Sequence, residues 1–150
     1  MTMYKYLLDV NTLVALADAE HEHYPSAMNW FDREGYRNWG VCPLTEAGFL
    51  RVTTNPVMKS RMRTLDEAIS ILQLLKSHRS CQYWAMSRNW IESTAPFARR
   101  IQGHRQIADA YLLGLAIEHQ GALVTFDKGF RHLAGEEFQS NVVVLESQTV

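Results

Sequence analysis

Tyr4–Leu16, YKYLLDVNTLVAL, is an apolar run broken by one carboxylate, Asp9, with the polar residues Asn11 and Thr12 just behind it. Unbroken apolar residues ahead of Asp9 predict a short strand buried on both faces, as in parallel sheets. Asn11 or Thr12 then opens a helix, because their side-chain oxygens accept bonds from unpaired first-turn amides. Asp9 is thereby placed at the carboxyl end of a buried strand. A carboxylate in such company is costly unless a cation or hydrogen-bond donors meet it.

Working outward, the chain alternates strands and helices. Pro25 suits the first turn of a second helix with Met28, Trp30 and Phe31 on its apolar face, ending near Gly35. Residues 38–42 (NWGVC) predict a strand, and Pro43 opens a helix that stops at Asn55-Pro56. Residues 57–63 form a basic loop. Thr64–Glu67 (TLDE) matches a capping box ahead of Ala68, Ile69, Leu72 and Leu75 at helical spacing. Residues 81–86 predict a strand, with a short helix around Trp90 and Ile91 and a loop through Pro96 to follow. A helix over 105–119 is apolar nearly all round and is stopped by Gly121, read as a left-handed residue. Residues 122–126 (ALVTF) and 141–145 (NVVVL) complete the strands, with a turn at Asp127-Lys128-Gly129. Short apolar strands between helices predict a three-layer α/β/α sandwich with a central, mostly parallel sheet of about five strands. In such sheets ligands gather beyond the carboxyl ends of strands, where the strand order reverses.

Composition narrows the classes. The 150 residues carry no repeat or linker and read as one domain, 1–150. A formal charge of −1 gives no general polyanion signal, so any nucleic-acid role rests on local basic patches. Cys42 and Cys81 lie far apart in apolar settings and make no zinc pattern. The start, MTMYKYLL, lacks the features of a secretion signal, and the run Ile107–Ile117 is too short to span a bilayer and contains Asp109. A cytoplasmic protein is the expectation.

Four acids stand in apolar surroundings: Asp9 in LLDVN, Glu46 in PLTEAGFL, Asp109 in IADAYLLGLA and Asp127 in LVTFDKGF. Each has an ordinary explanation by itself. Asp127 starts a turn, Glu46 favours a helix N-terminus, and Asp109 pairs with Arg105 one helical turn earlier. Together they fall where strands end and helices begin, which in a three-layer sheet is one edge. Carboxylates sharing a small volume cannot all stay ionised without a cation. Oxygen donors without a His or Cys cluster favour Mg²⁺ or Mn²⁺, and such ions serve phosphoryl-transfer chemistry.

The segments LLDVNTLVAL, CPLTEAGFLRVTTNP, GHRQIADAYLLGLAIEHQGALVTFDKGF and VVVL, spread over nearly the whole chain, resemble the signature of the PIN-domain nucleases, in particular the VapC toxins of type II toxin–antitoxin pairs. The resemblance implies a PIN-like fold and a Mg²⁺- or Mn²⁺-dependent endoribonuclease with the catalytic acids Asp9, Glu46, Asp109 and Asp127. It implies Asp9 and Asp109 as direct metal ligands, and Asn11 and Thr125 as supporting polar residues. Glu46 and Asp127 would act through water or a second ion. RNA is then hydrolysed by metal-activated water to 5′-phosphate and 3′-hydroxyl ends. A homodimer and a cognate VapB-like antitoxin that blocks the metal site are implied as well.

Basic residues gather in Arg51–Arg63 and Arg99–Arg105. His104 and Arg105, just ahead of Asp109, and Arg99 and Arg100 are the candidates for substrate phosphate, with solvated loops as the plain alternative. His21-x-His23 lacks a third ligand and reads as capping or surface. The four tryptophans read as core. The rival readings are a PIN nuclease of RNA processing, a non-catalytic PIN-like binding module, and a phospho-acceptor α/β domain, for which Lys128 is poorly placed.

Overall fold

Five short strands, β1 (Tyr6–Leu8), β2 (Trp39–Val41), β3 (Cys81–Tyr83), β4 (Ala122–Thr125) and β5 (Val142–Val144), form one sheet in the order β3-β2-β1-β4-β5. Every neighbouring pair is parallel. The structure, a computed structural model, describes residues 4–147. Tyr6 lies opposite both Trp39 and Ala122, and Leu8 opposite Val124. The chain lays β2 and β3 to one side of β1 and then returns to place β4 on the other. Strand order therefore reverses between β1 and β4, and beyond their carboxyl ends is where sheets of this kind place their ligands.

Helices α1 (Val10–Ala17), α2 (Tyr24–Arg33), α3 (Pro43–Thr53) and α4 (Leu65–Lys76) cover one face of the sheet. The other face carries α5 (Trp90–Thr94), α6 (Ile107–Glu118) and α7 (Gly129–Ala134). Alternate residues of the strands feed the two cores. Tyr6, Leu8, Ala122 and Val124 pack with Leu13, Val14, Trp30, Phe49 and Leu72. Leu7 and Leu123 pack with Phe97, Leu113, Leu115, Phe130 and Leu133. This is the expected three-layer arrangement. Each fully buried Leu contributes about 1.5–3 kcal/mol through burial, so the two cores hold the central strands in a fixed register.

Local chemistry sets most boundaries. Thr64 and Glu67 form the expected capping box, with Glu67 N–H donating to Thr64 Oγ1 at 3.2 Å and Thr64 N–H to Glu67 Oε1 at 3.0 Å. Four details differ from the sequence expectation. The cap of α1 is Asp9, not Asn11 or Thr12. Residues 57–63 are not an open loop, because Pro56–Arg61 coils into 3-10 turns broken at Lys59, φ 55°. The left-handed residue after α6 is Gln120, φ 57°, while Gly121 is kept small by the Lys5 carbonyl, 2.5 Å from where a Cβ would sit. The turn after Asp127 continues into α7, whose Phe130, Leu133 and Ala134 are buried. No helix among the described residues is long and apolar enough to cross a membrane. Cys42 and Cys81 are free thiols, and burial pushes Cys81 up to about 11.

Candidate active site

β1 runs straight into α1, and the residue at the junction is Asp9. Its backbone is extended (φ −73°, ψ 173°), so its side chain folds over the first turn as the helix cap. One oxygen, Oδ1, accepts from Thr12 N–H at 2.9 Å and from Thr12 Oγ1 at 2.7 Å. The nearby Thr125 hydroxyl favours the ionised carboxylate. Only 6% of Asp9 is exposed. Burial pushes its pKa up, the Thr125 and Thr12 donors pull against that, and the charge of Asp127 adds to the rise. The two Thr12 donors hold the side chain in place without neutralising its charge.

Thr125 is the last residue of β4, next to β1, and is fully buried. Its hydroxyl oxygen also accepts from Asp127 N–H at 3.0 Å, and Asp127 Oδ1 accepts from Gly129 N–H at 2.8 Å. The backbone of Asp127 is thus tied to the threonine beside Asp9, while its exposed carboxylate is held by Gly129. Asp109 comes from the other face, in the first turn of α6. Its pKa is raised to about 6 by burial, then by the charges of Asp9 and Asp127. Two carboxylates are the charges acting on it; no cation is among them, and Arg105 does not pair with it.

Glu46 is placed differently. It lies in the first turn of α3 and faces α4, where Lys76 Nζ sits 2.5 Å from its Oε2. The α3 residue packed on the start of α1 is Gly48, where an added Cβ would collide with Val10. Of the four acids expected together, the charges of Asp9 and Asp127 act on Asp109, and Glu46 is paired with Lys76.

The donor set of the three aspartates is all oxygen and carries uncompensated negative charge, which fits a hard divalent cation. Among the described residues, no three His, Cys, Asp or Glu side chains are gathered tightly enough to ligate one ion as they stand.

The supporting and basic residues divide. Asn11 is exposed on the first turn of α1. His104 and Arg105 are exposed on the 3-10 turn His104–Gln106 that leads into α6 and Asp109. Arg99 is exposed as well. Arg100 has a structural task instead: Nε and Nη2 donate to the Leu133 and Ala134 carbonyls, both at 2.9 Å, and cap α7 at Gly135. In the other basic span, Arg61 pairs with Asp18 at 3.1 Å and Arg63 with Glu67 at 3.9 Å. His23 stacks on Phe126, the residue before Asp127, with ring centroids 4.4 Å apart. Trp30, Trp39 and Trp84 are core, and Trp90 Nε1 donates to the Ile107 carbonyl at 2.8 Å. The residue that sequence reasoning missed is Thr12, read only as a possible cap. The signal was available, since Asp three places ahead of Thr is a cap-and-donor spacing.

A sequence profile of the PIN domain matches residues 6–136. Ribonuclease VapC38 of Mycobacterium tuberculosis is 38% identical over 139 residues, covering 93% of this chain and 96% of that protein. Ribonuclease VapC44 of the same organism is 35% identical over 122 residues, 81% of this chain and 85% of its own. Among solved structures, VapBC2 from Rickettsia felis bound to a DNA fragment from its promoter aligns with a TM-score of 0.67 at 15% identity, over 94% of this chain and 98% of that one. Mycobacterium tuberculosis VapC20, described as a sarcin-ricin loop cleaving toxin, aligns with a TM-score of 0.60 at 8% identity, over 81% and 88%. At these identities the structural likeness is one of fold.

Proposed function

The chain belongs to the PIN-domain family, and from that premise we propose that it is the ribonuclease toxin of a type II toxin–antitoxin pair, cutting RNA phosphodiesters with Mg²⁺ or Mn²⁺. The observation that carries the reading is the meeting of Asp9, Asp109 and Asp127 beyond the β1–β4 switch point, where burial and then the charges of Asp9 and Asp127 raise the proton affinity of Asp109. Curated relatives named as VapC ribonucleases, matched over most of both chains, support the choice of substrate class.

Asp9 and Asp109 are the residues that would hold the cation, with Asp127 beside them. When bound, the cation would supply Lewis acidity toward the phosphate and a water more readily ionised than bulk water. The chain's own residues do the positioning. Thr12 fixes one oxygen of Asp9, so the carboxylate keeps a single orientation. Thr125 ties Asp127 to the same place. His104 and Arg105, exposed ahead of Asp109, are set to bind the phosphates that flank the scissile bond.

A VapB-like antitoxin is the partner this reading calls for, and the fold's likeness to VapBC2 supports it. A homodimer acting in the cytoplasm completes the proposal. The test is purified protein with total RNA: cleavage with Mg²⁺ that EDTA stops and that leaves 5′-phosphate ends is expected. RNA left intact at micromolar enzyme in Mg²⁺ and in Mn²⁺ would overturn it.

A further inference from the structure

One ring of the His21-x-His23 pair reaches the acidic edge. His23 stands at the head of α2, but its side chain makes no capping bond. The imidazole instead lies flat on Phe126, with ring centroids 4.4 Å apart and planes 15° from parallel, a stacked contact. Phe126 is the first residue beyond β4, between the buried Thr125 and the exposed Asp127. It is half-buried and, among the described residues, belongs to neither core. His23 is itself fixed from several sides. Its N–H donates to His21 Nδ1 at 3.0 Å, its carbonyl accepts from Ala27 N–H at 3.0 Å, and Ser147 Oγ lies 2.9 Å from its Nδ1. The segment that brings Ser147 is anchored as well: Leu145 N–H donates to the Thr125 carbonyl at 2.8 Å, and Ser26 Oγ to the Glu146 carbonyl at 2.7 Å. The start of α2, the end of β4 and residues 145–147 thus close a loop of contacts that includes Phe126.

We propose that His23 is a positioning residue: stacked on Phe126 and pinned by Ser147, it holds the turn that carries Asp127 at the cation site. The proposal rests on the reading of the aspartates as that site. Functional side chains keep their geometry when the residues behind them are locked by packing. Only Phe126, Asp127 and Lys128 lie between β4 and α7, so a ring clamped at Phe126 restricts the backbone of its neighbour Asp127. His23 acts through Asp127 and needs no contact with RNA or cation.

A double-mutant cycle in Mn²⁺ affinity, measured by calorimetry on the full chain, tests this apart from cleavage. His23→Ala should weaken Mn²⁺ binding about tenfold, the scale of losing a group behind a metal ligand. His23→Phe keeps a stacked ring and should restore most of that affinity. With Asp127→Asn already in place, His23→Ala should cost nothing further. In RNA cleavage, His23→Ala should lower kcat and leave KM unchanged. Full Mn²⁺ affinity in His23→Ala would overturn the proposal, as would losses that add in the double variant or a His23→Phe protein as weak as His23→Ala. A raised KM with kcat intact would contradict it too, by putting His23 on the RNA. If His23→Ala fails to fold by far-ultraviolet circular dichroism, Phe126→Leu removes the same stack and decides in its place. Wild type that binds no Mn²⁺, or Asp127→Asn that binds it undiminished, would instead sink the aspartate reading on which the proposal stands, a failure visible before His23 is altered.

Discussion

Thr12 donates twice to the same oxygen of Asp9, from its backbone N–H at 2.9 Å and from its hydroxyl at 2.7 Å. The strand-to-helix junction thus builds its own support for a buried charge. Thr12→Val keeps the shape and removes the hydroxyl donor. A hydrogen bond to a charged group contributes about 1.5–3 kcal/mol, so urea denaturation at neutral pH should show a loss of that order. Thr12→Ser should recover most of it. A Thr12→Val protein as stable as wild type would show that the hydroxyl does not hold Asp9.

A cation that binds the folded chain alone must stabilise it, by about 2.7 kcal/mol at a hundred times its dissociation constant. Thermal melts should therefore rise with added Mn²⁺ and fall back with EDTA. Asp109→Asn should abolish that rise. Its metal-free form should melt no lower than wild type, because the charges of Asp9 and Asp127 already disfavour an ionised Asp109.

The same residue sets a pH dependence. The Asp109 carboxyl stands at about 6 in the folded chain against an ordinary 3.8. The folded form is the one that keeps the proton, so between these values the unfolded form binds fewer protons. Stability from this group is full below the ordinary value and is lost as pH rises to about 6. Metal-free wild type should thus lose stability over that window relative to Asp109→Asn, read from urea midpoints in EDTA. Since the cation competes with the proton, Mn²⁺ affinity should weaken as pH falls below about 6. Parallel midpoints for the two proteins would refute the assignment.

Arg99 and Arg100 are neighbours in sequence with different work. Arg100 caps α7 through the Leu133 and Ala134 carbonyls, so Arg100→Ala should lower stability by about 1–3 kcal/mol, as loss of charged hydrogen bonds does. Arg99 is exposed. Arg99→Glu should leave the melt unchanged and weaken RNA binding, with a shallower salt dependence. Unaltered binding would make Arg99 a solvated surface residue.

The sheet was legible because its strands are short apolar runs and its helices carry caps, as at Thr64 and Glu67. All four acids could be singled out from sequence because each stands just after a strand or in the first turn of a helix: Asp9, Glu46, Asp109 and Asp127. Glu46 could not be given its partner Lys76 this way. Which neighbour it meets depends on the rotation of α3 about its axis, and that is fixed by the packing of Gly48 on Val10 and by Lys76, thirty residues on. The cap at Asp9 was hidden because Asn11 and Thr12 are equally good caps in isolation. Arg100 was hidden because its partners are backbone carbonyls, which leave no trace in side-chain patterns. α7 was missed because its six residues are too few to display a period.

The central claim is that Asp9, Asp109 and Asp127 form a cation site that cuts RNA. The most direct measurement is cleavage of end-labelled RNA by wild type and by folded Asp109→Asn, each in Mg²⁺ and in EDTA. Wild type should cleave in Mg²⁺ and stop in EDTA, and Asp109→Asn should be slower by about a hundredfold or more, as expected on losing groups that stabilise charge in the transition state. Equal rates for the two proteins in Mg²⁺, or cleavage that persists in EDTA, would contradict the account.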